Sequence, residues 1–252
     1  MKILVTAKVV VDPEVQPKVL SGKRVTKGLR RIVDVVDDTN VQALIEGLPN
    51  ANIFVVNISS IEDKVSLARL VALGAKEMIH FSCADECIAR LDCLAKAKLL
   101  KNLVITRGFN LVALGIQSSD TSSAQLGPML AGLLNWPCIC GVKAIKRMDD
   151  GNFVVKCAIK NVLVDINVSS PCVLTCDLRV KAPRLVTVVD LIKAKRKLIN
   201  TIPVLESNYS LKPQIEIIED IISPSPRLGK VFTNFSDAWE IVTRWLRKNK
   251  WL

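Results

Sequence analysis

Short apolar runs alternate with helical patterns over the first half of the chain. The runs occupy residues 3–11, 52–58, 77–81 and 111–114 and are rich in valine, isoleucine and leucine. Apolar residues at helical spacing predict helices at 38–48, 60–73, 86–100 and 124–134, with Gly74 as a stop signal for the second. Strands that are apolar throughout are buried on both faces. The alternation therefore predicts βαβ units and an open, mostly parallel α/β sheet covered by helices.

The second half follows a different pattern. Three β-rich runs within 143–176, FVVKCAI, VLVDINV and CVLTC, predict antiparallel strands added to the edge of the sheet. Residues 178–230 contain five prolines and no long periodic segment, which predicts an extended arm. Residues 231–252 include an amphipathic helix with Ser236 as its expected N-cap. We expect a core at 1–177, this arm, and a terminal helix that docks on another protein, with a membrane surface as the alternative.

Charge and composition exclude several classes of protein. The formal net charge of +11 suits an anionic cofactor, an acidic partner, nucleic acid or anionic lipid. Aromatic residues make up only 4% of the chain, and the basic segments contain few of them, so single-stranded nucleic acid is a poor match. No recognised nucleic-acid-binding fold is visible. No apolar run approaches about 18 residues, so no transmembrane helix is expected.

The residue types that carry nucleophilic and metal chemistry are sparse or badly spaced. The eight cysteines contain no Cys-x-x-Cys pair, and His80 is the single histidine. The N-terminal residues predict a strand rather than a secretory signal, so we expect a reducing compartment and mostly buried, unpaired cysteines. A Ser-His-Asp or Cys-His device and a metal site are both disfavoured. His80 is interpreted as a structural residue at a strand end.

A loop of small polar residues, IQSSDTSSAQLGP, follows the fourth predicted strand and leads into a helix. Open α/β sheets bind ligands at the carboxyl ends of strands, and free N–H groups at a helix N-terminus attract phosphate. Pro128 is tolerated only in the first helical turn, so these groups are expected within 122–127, where Gly127 permits close approach. Asp120 is a candidate acceptor for a ribose hydroxyl or an adenine amine. A serine-rich turn that only caps a helix is the alternative.

Three stretches together resemble one known family. They are MKILVTAKVVVD at the start, LGIQSSDTSSAQLGPMLAGLLNWP in the middle and DLRVKAPRLVTVVDLIKAKRK at 177–197. Their order and spacing are similar to those of the electron transfer flavoprotein beta-subunit family. The resemblance covers residues 1 to about 200.

The resemblance implies a subunit of a heterodimer that carries electrons and is not itself an enzyme. Members of this family have a flavodoxin-like, adenine-nucleotide-hydrolase-like fold and bind AMP or, in a bifurcating subgroup, a second FAD at the same site. The alpha subunit holds most of the FAD that carries electrons. A recognition loop contacts acyl-CoA dehydrogenases or other flavin dehydrogenases, as in fatty acid beta-oxidation. The implied location is the cytoplasm in a bacterium and the mitochondrial matrix in a eukaryote.

Positions that match the family give two sets of candidate residues. The cofactor-binding candidates are Thr6, Asp34, Gly115, Gln117, Ser118, Asp120, Ser122, Ser123, Ala124, Gln125, Leu126 and Gly127. The partner-recognition candidates are Arg184, Val188, Val189, Lys193, Lys195 and Arg196, with Lys197 as a further charge. In this interpretation the two valines form an apolar anchor on a mobile loop and the cations steer the partner.

The chain also departs from the family pattern. Asp34, Val35 and Val36 replace an Asn-Pro-Phe sequence in which the amide meets the nucleotide and the ring lies against the flavin. Pro13 replaces a tyrosine. These replacements keep a second interpretation open. It is a degenerate paralogue that binds an adenine nucleotide, or serves as a structural partner, without a redox role.

Overall fold

The structure is a computed structural model, which describes residues 1–12, 14–15, 18–20, 23–25, 28–60, 63–84, 87–88, 91–148, 152–160, 162–177, 185–195, 199–204, 213–215, 218 and 232–251. The strands are β1 (Lys2–Thr6), β2 (Val9–Val11), β3 (Lys18–Leu20), β4 (Lys23–Val25), β5 (Arg31–Val33), β6 (Asn52–Ser59), β7 (Glu77–Ser82), β8 (Leu111–Gly115), β9 (Cys138–Arg147), β10 (Phe153–Ile159), β11 (Val162–Val168), β12 (Cys172–Cys176) and β13 (Ile199–Pro203). The helices are α1 (Val35–Gly47), α2 (Lys64–Leu73), α3 (Cys93–Arg107), α4 (Leu126–Leu134), α5 (Val188–Lys195) and α6 (Phe235–Lys248).

Nine of the described strands form one sheet in the order β11-β10-β9-β12-β8-β1-β6-β7-β13. All neighbours from β9 to β13 in that order are parallel. Helices α1, α2 and α5 bury apolar side chains against one face, and α3 and α4 bury theirs against the other. This doubly covered sheet confirms the predicted α/β fold, because strands buried on both faces are apolar along their whole length.

The antiparallel edge is confirmed, although one of its predicted members lies elsewhere. β10 pairs antiparallel with both β9 and β11, so the runs FVVKCAI and VLVDINV form the expected added strands. The run CVLTC forms β12, which pairs in parallel with β8 and β9 in the middle of the sheet. Every residue of β12 is buried, as expected for a central strand. Its apolar character on both faces was the signal that separates it from an edge strand.

The run at 3–11 forms two strands instead of one. β1 is part of the large sheet, whereas β2 pairs with β5 in a separate antiparallel ribbon. Between β1 and β2, side chains satisfy the backbone polar groups. The Ala7 carbonyl accepts a hydrogen bond from the Asn57 amide at 2.7 Å, and the Lys8 N–H donates to Asp37 at 2.8 Å. The chain can leave the sheet here because these backbone groups remain satisfied.

Three helix starts differ from the predicted ones because of their capping residues. Asp34 caps α1, so this helix begins at Val35 rather than at residue 38. Asp92 caps α3 by accepting the Ala95 N–H at 2.8 Å, and the helix extends past residue 100 to Arg107. The N-cap of α6 is Asn234, whose side chain accepts the N–H of Ser236, the expected cap. A carboxylate or amide in the cap position fixes the first turn more directly than apolar spacing does.

Two elements within the expected arm, α5 and β13, pack against the core, which corrects the expectation that 178–230 holds only an extended segment. α5 lies against α2, and its Ala194 is buried. β13 pairs in parallel with β7 along its whole length. Both elements are too short to give a periodic signal, and their place is set by pairing and packing rather than by their own pattern. Most of 205–230 lies outside the described residues, but the Gln214 N–H donates to Asp92 Oδ2 at 2.6 Å.

His80 lies within β7 and is completely buried, with its Nε2 3.2 Å from Ser59 Oγ. Three of the eight cysteines are buried, four are partly buried and Cys140 is exposed, so fewer are buried than expected. The described helices include none with the length and apolarity that crossing a membrane requires.

Candidate functional site

The carboxyl ends of β1 and β8 form the switch point of the sheet. From β1 the chain continues to β6 and β7 on one side, and it returns at β8 on the other side of β1. Residues 7–8 leave β1 at this point, and the loop 116–125 leaves β8 toward α4. We call these residues, 116–125, the switch loop. Open α/β sheets bind ligands in the crevice at such a point.

The end of the switch loop and the start of α4 expose a row of backbone N–H groups. Ser122 and Ala124 have positive φ values of 49° and 52°, and Gln125 then returns to the right-handed region before α4 begins. The N–H groups of residues 123–127, all of them described, have no hydrogen-bond partner in the described chain. Successive N–H groups in left- and right-handed residues form a concave anion site, and the helix dipole adds positive potential to it.

Asp34 fixes the switch loop to the start of α1. One carboxylate oxygen accepts the Val36 N–H at 3.0 Å. The other accepts both the N–H and the hydroxyl of Ser119, at 2.7 and 2.9 Å. The residue is only 1% exposed. Asp34 was expected to contact the cofactor, and in the structure both of its oxygens accept hydrogen bonds within the chain and support the loop.

Asp120 forms an ion pair with Lys8 at the mouth of the crevice. Lys8 Nζ lies 2.6 Å from Asp120 Oδ1 and 3.3 Å from Ser118 Oγ. Burial disfavours the charged form of Asp120, but the hydrogen bond and charge of Lys8 outweigh it and lower the pKa of this carboxyl. Asp120 is therefore ionised at neutral pH. A ligand would share it with Lys8.

Lys96 on α3 adds a second cation to this region. Burial is the main cause that lowers the pKa of Lys96, and the positive charge of Lys8 lowers it further. Asp120 acts in the opposite direction, so all three groups are close enough to interact. Among the described residues, the ammonium group of Lys96 has no hydrogen bond or ion pair. A poorly hydrated cation beside another cation is stabilised by an anion placed between them.

Asp37 lies beneath the switch loop. Its Oδ2 accepts the Lys8 N–H at 2.8 Å, and its Oδ1 would lie 2.5 Å from a Cβ atom added to Gly115. Burial raises the pKa of Asp37 to about 7, against the opposing effect of the Lys8 N–H, and the nearby charge of Asp34 raises it further. The floor of the site therefore carries a carboxyl that changes charge near neutral pH.

The two candidate glycines serve packing within the chain. A Cβ atom on Gly127 would lie 2.3 Å from Thr175 Cγ2 of β12, so α4 approaches the sheet through this glycine. Gly115 makes room for Asp37 in the same way. Gly127 was expected to let backbone or a ligand approach closely, and the neighbour found there is the Thr175 side chain. A side chain here would displace α4, and with it the N–H groups at its start.

Comparison with known proteins adds independent information. The family model described as the electron transfer flavoprotein domain matches residues 36–207 of the chain. The chain is 32% identical over 228 residues to the probable electron transfer flavoprotein subunit beta of Saccharomyces cerevisiae, with 86% of each chain covered. It is 30% identical over 236 residues to the Dictyostelium discoideum subunit beta, with 92% of each chain covered.

The chain belongs to the electron transfer flavoprotein beta-subunit family. Its relatives include a mitochondrial subunit beta of Oryza sativa, 27% identical over 94% of this chain and 95% of the relative. They also include a bacterial one from Bradyrhizobium diazoefficiens, 26% identical over 97% of each chain. Membership confirms the resemblance seen in the sequence.

The structure brings the cofactor-binding candidates of a beta subunit together around the switch loop. Ten of the twelve lie between Gly115 and Gly127, Thr6 ends the adjacent β1, and Asp34 is joined to the loop through Ser119. Gln117 and Gln125 are exposed, and Gln125 makes no capping hydrogen bond. These two amides are therefore open to a ligand.

Two of the partner-recognition candidates, Val188 and Val189, lie at the start of α5. Val188 and Val189 are 71% and 58% exposed in the first helical turn, which corrects the expected loop. Thr187 and Asp190 cap this turn reciprocally, with the Thr187 hydroxyl 2.8 Å from the Asp190 carboxylate. Arg184, Arg196 and Lys197 lie outside the described residues, and so do the side chains of Lys193 and Lys195.

Three residues of the site escaped the sequence analysis. Lys8 carried a signal, because it is the charge that interrupts the first apolar run. Asp37 follows two valines in a helix that was predicted to begin one residue later. Lys96 carried none, since it is one of several lysines on a helix far from the loop in sequence.

Proposed function

We propose that the chain is the beta subunit of a heterodimeric electron transfer flavoprotein and that its switch loop holds an adenine nucleotide. The observation that supports this proposal is the row of unpaired N–H groups at 123–127, located at the switch point. A phosphate there would accept several N–H groups at a helix N-terminus. Lys8 and Lys96 would balance its charge from two sides.

The residues present fit an adenine nucleotide on physical grounds. Lys96 is a poorly hydrated cation without a partner in the described chain, and a phosphate would supply one. Gln117, Gln125 and Asp120 offer amide and carboxylate groups for ribose or adenine. The same loop would receive the AMP half of a second FAD. A bound FAD would supply redox chemistry, whereas AMP would supply none.

The exposed apolar face of α6 supports the proposal that the chain binds a partner subunit. None of the described residues of α6 is buried, and Phe235, Trp239 and Trp245 are more than half exposed. Such an apolar face on a helix marks a docking surface. In our proposal α6 binds the FAD-bearing alpha subunit. The exposed valines at the start of α5 contact an acyl-CoA dehydrogenase or another flavin dehydrogenase that supplies electrons.

A second candidate function rests on the start of α1. Val36 occupies the position of the aromatic ring that the family pattern places against the flavin, and it is buried here. No ring is presented from this position. A beta subunit that binds AMP or supports its partner without taking part in electron transfer is therefore the alternative to the redox role.

Co-expression with the alpha subunit of the same organism tests the proposal. The heterodimer is purified, denatured and analysed for released flavin and nucleotides by chromatography and mass spectrometry. We expect one FAD and one AMP per heterodimer, or two FAD molecules if the loop holds a flavin nucleotide. A stable heterodimer that releases a single FAD and no other adenine nucleotide would contradict nucleotide binding at the switch loop. Reduction of its flavin by a dehydrogenase then separates the redox role from the alternative.

A further inference from the structure

Two cysteines on β9 lie side by side at the surface. Cys138 Sγ and Cys140 Sγ are 3.8 Å apart, a contact in which either thiol can donate to the other. Cys140 is exposed and Cys138 is partly buried. The pair lies on the face of the sheet that α4 covers, where Cys138 packs against the core formed with that helix. Nothing in the proposed electron-transfer role uses these thiols.

An irregularity in β9 defines the local geometry of the pair. Ile139 pairs with Leu174 of β12, but Val142 pairs with Cys176, so Cys140 and Gly141 together oppose Thr175 alone. Gly141 has a φ of +74°, and its N–H donates to Thr175 Oγ1 at 3.3 Å. A bulge of this kind bends a strand and re-aims its side chains. The bulge is anchored inside the sheet, so the spacing of the two thiols is set by the fold.

The Cys138 thiol keeps its proton at neutral pH. Burial raises the pKa of Cys138 to about 12, and the neighbouring Cys140 contributes to the rise. A thiol in this state is a poor nucleophile. An ion that binds the pair must therefore displace the proton of Cys138.

The spacing of the sulfurs fits a bridging metal ion better than a disulfide. Alternate residues of a strand are separated by about 6.6 Å, close to the upper limit for the Cα atoms of a disulfide. With metal–sulfur bonds of about 2.3 Å, sulfurs 3.8 Å apart subtend an angle of about 110° at the ion, close to the tetrahedral angle. An ion can thus bridge the thiols where they stand, whereas a disulfide requires them to approach by almost 2 Å.

We propose that Cys138 and Cys140 form a half-open site for a thiophilic divalent ion of the Zn²⁺ type. Two thiols lose two protons, and two thiolates bind one ion. The described part of the chain offers no group of three or more metal-ligating side chains, so the remaining positions are filled from solvent or by an external ligand. A site with open positions exchanges its ion, unlike a closed structural zinc site.

Titration of the full chain, reduced and free of metal, tests the site. Zn²⁺ binding is followed by calorimetry in two buffers of different ionisation enthalpy, which also counts released protons. Cd²⁺ serves as a spectroscopic probe through its thiolate charge-transfer absorption. The wild type is compared with Cys138→Ser and Cys140→Ser, and Cys87→Ser is the matched control because it removes a partly buried thiol outside β9.

We expect the wild type to bind one Zn²⁺ per chain and to release two protons. Zn²⁺ affinity should fall by more than about tenfold in both β9 variants, since even changes outside the ligand shell can lower metal affinity by that factor. Cys87→Ser should retain it. Failure of the wild type to bind, or equal binding by the Cys140→Ser variant, would overturn the proposal. Cys140 is exposed, so its variant decides the question even if Cys138→Ser lowers the melting temperature. None of these outcomes depends on whether the switch loop binds a nucleotide.

Discussion

The switch loop and α6 are both expected to bind a partner molecule, yet they are built in opposite ways. The loop is held by the chain itself, through Asp34 beneath it and the Lys8–Asp120 ion pair across it. α6 has no buried residue among those described, and its tryptophans face outward. A site supported from within can meet a small ligand without reorganising. A helix with an uncovered apolar face gains its stability from another protein.

Removing α6 should have the largest effect and should leave the isolated core almost unchanged. Truncation after Lys230 deletes Trp239 and Trp245, and a buried tryptophan at an interface typically contributes about 2 kcal/mol or more. We expect association with the alpha subunit to weaken by more than roughly a hundredfold. The melting temperature of the isolated chain should stay within about 2 °C. Analytical ultracentrifugation and calorimetry measure the two quantities.

A truncated chain that assembles with unchanged affinity would show that α6 is not the docking surface. Arg244→Ala is the matched control within the helix. Arg244 is exposed, and its ion pair with Glu240, at 2.7 Å, connects two surface residues of α6 itself. A pair of this kind contributes little, so the variant should assemble like the wild type.

Asp34→Ala should destabilise the switch loop by removing the carboxylate that holds it. The substitution removes an N-cap and leaves the N–H and hydroxyl of Ser119 without their acceptor, and we expect a loss of about 2–3 kcal/mol in the free energy of unfolding. AMP affinity should fall as well, because the loop loses its anchor. Urea unfolding and AMP titration are the measurements. Asp237→Ala, an exposed acid in the first turn of α6, is the control, and equal destabilisation by both changes would argue against the contrast between the regions.

The charge of Asp37 should make stability depend on pH. The pKa of Asp37 in the folded chain, about 7, lies above its ordinary value of 3.8. The folded state therefore binds more protons than the unfolded state between these values, and Asp37 makes the chain less stable as pH rises through this window. Asp37→Asn should remove this part of the dependence and be more stable than the wild type at pH 8. Urea unfolding at pH 5 and pH 8 provides the comparison, and parallel pH curves for both proteins would contradict it.

Lys96→Met should weaken AMP binding roughly tenfold, or about 1.4 kcal/mol, through the loss of one charge beside the phosphate. Adenosine affinity should not change. The affinity of the wild type for AMP should fall as pH rises through the lowered pKa of Lys96, because the cation is then lost. Lys98→Met, two residues along the same helix, is the control. If both variants bind AMP equally well, Lys96 is not part of the phosphate site.

The smallest effect concerns the exposed valines of α5. Val188→Ala should slow electron transfer from an acyl-CoA dehydrogenase without lowering the melting temperature, because this side chain is 71% exposed. Val188→Leu should match or improve the wild type, since one more methylene adds about 0.8 kcal/mol of apolar contact. Equal transfer rates in all three proteins would show that Val188 is not part of the interaction surface.

The sequence was informative where local patterns decide the structure. The apolar runs predicted the parallel sheet, and the serine-rich loop before Pro128 predicted the position of the N–H groups. It failed where distant contacts decide. β13 lies at the edge of the sheet because it pairs with β7. The run CVLTC is a central strand because it pairs with β8. Lys8, Asp37 and Lys96 are brought to one region only by folding, since they belong to separate parts of the chain and their spacing in sequence does not show that they come together.

Amide resonances of the switch loop test the central claim most directly. The ¹⁵N-labelled chain is titrated with AMP and, separately, with adenosine. We expect AMP to produce its largest shifts at the N–H groups of residues 123–127, and adenosine to shift these groups much less because it lacks the phosphate. Equal shifts with both ligands, or shifts confined to residues outside the switch loop and the start of α4, would contradict a phosphate site at this position.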